Sequence, residues 1–400
     1  MNICMVSQAL PYLPSRGGFR LYGANLMRCL AKRHRIDLIS LLTQGDHEHL
    51  DWPRQYCANV QTIDVKTPPL PMRAANFVAG YVSGVGLHHR AQLADMLSRG
   101  IAAGRWDVIH FEGDYVASLA GHQLQTPTVL SLHDSWTLRC REMLACPSNW
   151  REKLRYRALA VREPRFERQL YPKFDRCILV AKPDLDEVRR VVPGVRAELI
   201  PYGTDTEYFH PMAVPKQPAS LVFHGHLGYA PNVEAVTEFA KAIFPLVRRE
   251  QPQTTFHMVG ANPAPEVRAL ASLPGVRLSE NLLDIRPSVC ASSIYVCAIR
   301  HGTGLKSKML EAMAMRMPIV ACHPGSTVGI DCAHDVHLMA AESPESFARY
   351  VLQLLRDPER AERLARAAWE LVETKYSWES RAAAFEDLYG RLQARRRRAA

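Results

Sequence analysis

The chain has 400 residues, 47% of them hydrophobic and 22% charged, proportions that exclude a disordered or fibrous class and leave room for two or three domains. Its net charge is +10 and its isoelectric point about 9.2, so anionic partners are favoured. No apolar run approaches the roughly 20 residues a membrane-spanning helix needs, and the opening Met1-Asn2-Ile3-Cys4-Met5-Val6 lacks the features of a signal peptide, which leads to the expectation of a cytoplasmic protein.

Short apolar or β-branched runs alternate with longer helical patterns, the signature of parallel strands joined by right-handed crossovers. The first run, Asn2–Val6, leads to Pro14-Ser15-Arg16-Gly17-Gly18, directly before a helix over Leu21–Arg33. Paired glycines there let backbone N–H groups approach an anionic or hydroxylated ligand, although a tight turn explains the same residues. Neither G-x-G-x-x-G nor an acidic residue closing the second strand is present. Further strands are predicted at Ile36–Leu42, Asp107–Phe111, Thr128–Leu132 and Arg176–Val180, and a helix over Asp184–Val192. Glu112 and His133-Asp134 follow two of these strands at their carboxyl ends, where open α/β sheets bind ligands. A helix cap or a core partner is the alternative for His133.

Pro201, Gly203 and Asp205 mark a turn, after which strands are predicted at Ser220–His224, Thr255–Val259, Val276–Ser279, Ile294–Ala298, Pro318–Ala321 and Val336–Met339. The helix between the first two is the clearest. Val233, Val236, Phe239, Ala240, Ile243, Phe244 and Val247 make one apolar face, with Asn232 as its N-cap. Two series of similar size predict two facing Rossmann-like, doubly wound domains, 1–204 and 205–377, with a ligand cleft between them. A helix within 378–400 is expected to cross back onto the first domain.

The ten cysteines include no C-x-x-C pair, and Cys4, Cys177, Cys297 and Cys322 sit in apolar runs, which points to reduced structural thiols. Basic residues gather between Arg151 and Arg168 and at Arg395-Arg396-Arg397-Arg398. They fit a solvated helix face and tail, an anionic membrane surface, or a phosphorylated small molecule. No nucleic-acid-binding signature accompanies them, so nucleic acid is not expected as a partner.

The most informative stretch runs from Arg300 and His301 through Gly302-Thr303-Gly304-Leu305-Lys306-Ser307-Lys308 to Glu311 and Ala314. It follows a strand and opens a helix, with two glycines, two lysines and hydroxyl residues at the helix start. That combination suits a diphosphate: the amides of Gly302, Thr303, Gly304 and Leu305 and the helix dipole meet its oxygens, while lysine neutralises charge. Lys306 is expected to be the principal cation, with Lys308 turned about 200° from it on a 3.6-residue period. Glu311, about a turn into the helix, is placed to accept hydrogen bonds from a ribose diol. The P-loop pattern is absent.

Gly304–Ala314 followed by Pro318-Ile319-Val320 resembles the donor-binding loop and helix, with its E-A-M-A core, of GT-B glycosyltransferases of family 4. Ile200–Asp205 with Phe209-His210-Pro211 resembles that family's interdomain P-N-G-V-D…F-x-P segment, and Leu283-Asp284-Ile285-Arg286-Pro287 its D-[IL]-R-P loop near the nucleotide. Gly17-Gly18 is similar to its N-terminal glycine loop, and Tyr376-Ser377-Trp378 to the start of its terminal crossover helix. Phe223–Asn232 looks most like the bacterial exopolysaccharide-associated branch. Two departures stand out: His226 takes a position where many relatives carry arginine, with no lysine following, and Thr303 replaces the first glutamate of the usual E-x7-E pair.

The resemblance implies the GT-B fold and retaining transfer of a sugar from a nucleotide-diphosphate-sugar donor to a sugar, lipid-linked or small-molecule acceptor, without cofactor or metal. It places the enzyme in polysaccharide, glycolipid or other glycoconjugate synthesis. No D-x-D stands at a strand end to serve a metal-dependent GT-A reading. It implies His133 on the sugar, Lys306 on the diphosphate and Glu311 on the ribose as the catalytic set. Gly17, Gly18, Gly225, His226, Asp284, Ile285, the 302–305 loop and Lys308 would surround the donor, with Glu112 and Asp134 on the acceptor side. The basic segments suggest peripheral contact with the anionic inner face of the cell membrane. The competing readings are a sugar-nucleotide epimerase using Glu112 with His133, and a non-catalytic donor-binding subunit. An epimer formed without acceptor would select the first, and tight donor binding without transfer the second.

Overall fold

The computed structural model describes residues 1–15, 18–65, 87–120, 126–145, 150–300 and 305–398. The chain divides into two compact units, Met1–Pro201 with Arg381–Ala400, and Tyr202–Ser380. Each has its own apolar core and its own all-parallel sheet.

The first sheet comprises β1 (Asn2–Ser7), β2 (Arg35–Leu42), β3 (Asn59–Asp64), β4 (Val108–Glu112), β5 (Thr128–Leu132), β6 (Arg176–Leu179) and β7 (Ala197–Leu199), in the order β3-β2-β1-β4-β5-β6-β7. The second comprises β8 (Ser220–His226), β9 (Thr255–Ala261), β10 (Val276–Glu280), β11 (Ile294–Cys297), β12 (Ile319–Cys322) and β13 (Met339–Ala341), in the order β10-β9-β8-β11-β12-β13. Both orders reverse direction after the first strand in sequence. The reversal lies between β1 and β4 in one unit and between β8 and β11 in the other, and doubly wound sheets open a ligand crevice at that point. The expected pair of Rossmann-like domains is therefore present.

Strands such as β4 and β5 are buried at every residue, which accounts for their mostly apolar sequence, and the polar His110, Glu112 and Ser131 among them are hydrogen-bonded. Two edge strands were not anticipated. β3 is mostly half-buried and mixes Asn59, Gln61, Thr62 and Asp64 with two aliphatics, while β7 spans three residues. The last predicted strand is displaced: Val336 is 51% exposed, and pairing with β12 begins at Met339.

Five helices carry the glycine, polar and basic residues singled out in the sequence: α1 (Gly18–Ala31), α2 (Trp150–Leu170), α3 (Ala230–Glu238), α4 (Ser307–Ala314) and α5 (Trp378–Arg397). Asn232 does not cap α3. Tyr229 holds the N-cap, and Pro231, whose missing N–H costs nothing in the first turn, lets the helix start earlier. The predicted apolar face continues through a π-turn over Phe239–Ile243 into a helix over Phe244–Glu250. Pro245 enters that second helix, and its lack of an N–H accounts for the loosened backbone before it. From Arg381 onward α5 belongs to the first unit, where Phe385, Leu388 and Tyr389 are fully buried. Tyr389 Oη lies 2.6 Å from His110 Nδ1 on β4, and His110 Nε2 lies 2.7 Å from Ser131 Oγ on β5. Arg395–Arg397 continue α5 as exposed helix. Nine cysteines among the described residues are free thiols.

Candidate active site

In the second unit the crevice end of β8 is Gly225-His226. A Cβ at Gly225 would meet Lys308 Cε at 3.0 Å and Asn232 Nδ2 at 3.2 Å, so glycine here is what lets Lys308 come close. Its neighbour on β9, Gly260, has no room for a side chain against the Gly225 carbonyl. Asn232 ties three segments together: its Nδ2 donates to His226 O at 2.8 Å, and its Oδ1 accepts from Lys308 Nζ at 3.0 Å. The ammonium of Lys308 also lies 5.7 Å from the centroid of Phe223.

This geometry revises the expected roles of the two lysines. Lys306 is the N-cap of α4, with extended backbone (φ −89°, ψ 95°), so the helical period does not relate it to Lys308. Lys306 is only 9% exposed, whereas Lys308 reaches the end of β8 rather than pointing away from it.

Glu311, expected to face a ribose, places Oε2 at 2.7 Å from Nε2 of the buried His224, with 20% of its side chain exposed. Burial alone would raise this carboxyl's pKa. The hydrogen bond from His224 and the nearby Lys308 ammonium outweigh that and hold it below its ordinary range. His224 and Asn232 were not anticipated as site residues. His224 reads as part of an apolar strand, and Asn232 as a cap.

Asp284 also differs from expectation. It accepts from Arg286 N at 2.9 Å, Nε at 2.9 Å and Nη2 at 2.7 Å, and the guanidinium sits 3.9 Å from the Tyr208 ring centroid. The carboxylate thus holds Arg286 in place, and Arg286 in turn keeps its pKa low. Ile285 and Leu305 are half-buried against the core. The exposed ring of His226 has Nε2 3.3 Å from Asn262 Nδ2. Gly17, Gly302, Thr303 and Gly304 lie outside the described residues.

In the first unit, β1 and β4 bring Ser7 opposite Glu112, and Ser7 Oγ donates to Glu112 Oε2 at 3.1 Å. Expected at an acceptor-facing edge, Glu112 is instead 1% exposed. Gly23 of α1 closes over it, since a Cβ there would strike the carboxyl group. Burial pushes its pKa up to about 8, only partly opposed by Ser7. His133, half-buried beyond β5, lies with its ring centroid 4.0 Å from that of Phe19 and 4.8 Å from that of Tyr22, both on α1. Burial lowers its pKa to about 3, so the imidazole is neutral at pH 7. Asp134 pairs with Arg139 at 3.3 Å. Gly18 is the exposed first residue of α1.

The chain matches the Glycosyltransferase Family 4 model over residues 16–208 and the Glycosyl transferases group 1 model over residues 218–357. No curated protein matches it in sequence. Among solved structures it is similar to sucrose-phosphate synthase from Thermosynechococcus elongatus (TM-score 0.69, 17% identity, covering 98% of this chain and 99% of that one). It is also similar to Anabaena HepE in complex with UDP (TM-score 0.65, 12% identity, 98% and 100% covered) and to S. aureus TarM in complex with UDP and other ligands (TM-score 0.65, 10% identity, 97% and 99% covered). At these identities the likeness is one of fold, the GT-B pairing of two Rossmann-like units.

Proposed function

The chain belongs to the glycosyltransferases, matched by the Family 4 model in its first half and by the group 1 model in its second, and on that premise we propose that it moves a sugar from a nucleotide-diphosphate-sugar to an acceptor hydroxyl with retention of configuration. The observation that carries this reading is the convergence of Lys308, Asn232, Gly225 and Glu311 at the crevice end of β8. Charge develops on the β-phosphate as the sugar leaves. The Lys308 ammonium, supported by Lys306 and the amides at the start of α4, supplies a fixed positive potential for it. In this reading no metal or cofactor is needed. Glu311 accepts from the ribose while His224 fixes its orientation. Neutral His133 hydrogen-bonds a sugar hydroxyl, and the acceptor hydroxyl attacks from the face the phosphate leaves.

The HepE structure holds UDP, which makes UDP-sugars the first donors to test. The net charge of +10 and the exposed Arg395–Arg397 favour acceptors that are lipid-linked or close to an anionic membrane, in polysaccharide or glycolipid synthesis at the cytoplasmic face. No helix among the described residues is long and apolar enough to cross a membrane, so the contact in this reading is peripheral. A thermal-shift panel of UDP-, GDP-, dTDP- and ADP-sugars should single out one nucleotide. Transfer from that donor should then survive a metal chelator and preserve the anomeric configuration. An inverted product, an epimerised donor, or a panel without any shift would sink the proposal.

A further inference from the structure

The outward face of α2 carries a pattern that sugar transfer does not use. Trp150, Leu154 and Val161 are 70%, 60% and 61% exposed, among the most exposed large apolar side chains of the described residues. At 100° per residue they fall in a strip about 40° wide and about 17 Å long. Exposed Lys153, Arg157 and Arg165 border that strip. Two of the three acidic residues of the helix, Glu163 and Glu167, turn inward and are 0% exposed. The outward side is therefore apolar along its middle and almost purely cationic along its margins.

A solvated helix has no use for a tryptophan and two aliphatics in water, and a row of them marks a contact surface. We propose that this face of α2 docks the protein onto an anionic lipid bilayer. Trp150, Leu154 and Val161 enter the boundary between headgroups and acyl chains, while Lys153, Arg157 and Arg165 reach headgroup phosphates along their aliphatic stems. A bilayer fits better than an acidic protein because the apolar row is a ridge one residue wide, with flexible cations on both sides. The inference deepens the membrane contact proposed for the acceptor and rests on that reading for its purpose. Its residues are independent of the arginine tail.

The test uses the full chain with vesicles of phosphatidylcholine, with and without phosphatidylglycerol. Wild type should co-sediment with the anionic vesicles alone, and brominated lipid should quench its fluorescence. The chain has six tryptophans, so Trp150→Phe identifies the reporter: the quenching should disappear while co-sedimentation persists. The double variant Leu154→Glu with Val161→Glu should lower partitioning by about tenfold with an unchanged melting temperature. The inference is overturned if the double variant binds as wild type does, if quenching survives Trp150→Phe, or if soluble polyglutamate binds as well as vesicles, which would point to an acidic protein instead. Deleting residues 395–400 separates the two membrane contacts: loss of binding there, with the α2 variant unaffected, also overturns it. Transfer to a water-soluble acceptor should proceed at the wild-type rate in the α2 variant. Absence of transfer in both proteins alongside intact docking would count against the transferase reading alone.

Discussion

At the end of β8 one hydrogen bond, from Lys308 Nζ to Asn232 Oδ1, decides where an ammonium sits. If that ammonium meets the leaving phosphate, Lys308→Ala should lower kcat/KM for the donor by about 10²–10³, the scale of one lost transition-state donor. Asn232→Ala should lower it by about tenfold, since the lysine remains but is no longer held, a cost typical of misplacement. Equal, negligible losses in a steady-state assay would remove both residues from the site. Glu112 offers a different test. Its pKa of about 8 in the folded protein exceeds its value in the unfolded chain, so the native state keeps a proton the unfolded chain has released. Stability should therefore fall as pH rises from about 4.5 to about 8. Glu112→Gln mimics the neutral acid, and between pH 5 and 8 it should lose less stability than wild type, by on the order of 2–4 kcal/mol in denaturant unfolding. Parallel pH profiles would mean that the carboxyl relaxes toward water.

Among the elements, α5 binds the first unit through buried polar contacts as well as apolar ones. Tyr389→Phe would leave His110 Nδ1 without its partner in a fully buried position, costing roughly 1–3 kcal/mol in the unfolding of that unit. A loss read instead in the second unit would contradict this role. Elements buried on both faces were legible in the sequence because aliphatic and aromatic residues make up most of them even where His110 or Ser131 intervenes, as in β4 and β5. The edges were not: β3 is too mixed and β7 too short to show a period. The site was legible in part. Glycines and lysines located the start of α4, but the direction of Lys308 depends on where that helix begins, and the extended backbone of Lys306 is a tertiary outcome. Likewise, Pro231 moved the start of α3 and freed Asn232 for a different partner.

The whole molecule is electrostatically uneven. Apart from Glu187 and Glu198, which arginine hydrogen bonds hold low, the first unit has carboxyls whose pKa burial raises: Glu112 to about 8, Asp114 to about 6, and Glu163 and Asp184 each to about 7. In the second unit the described carboxyls with resolved shifts, Glu280, Asp284, Glu311, Asp331 and Glu345, are all lowered. The first group retains protons that the unfolded chain has lost, so it destabilises its unit progressively as pH climbs toward 8. The second group is ionised in both states there and adds no such slope. Calorimetry between pH 6.5 and 8.5 should therefore show one transition moving down in temperature while the other stays nearly fixed. A single transition, or two that move together, would mean the units do not melt independently.

The division of the chain also sets an order of assembly during synthesis. Residues 202–380 form a contiguous stretch and can close their core as soon as they emerge, whereas the unit begun at Met1 lacks residues 381 onward until later. Until then its surface around His110 has no Phe385, Leu388 or Tyr389 to cover it. The half made first is thus finished second, and the nascent chain carries an open apolar seam while the rest is translated, the kind of surface that recruits chaperones. A circular permutant opening at Arg381 would place that helix ahead of Met1 and should shorten the vulnerable interval, which would be visible as a higher soluble yield without chaperone co-expression.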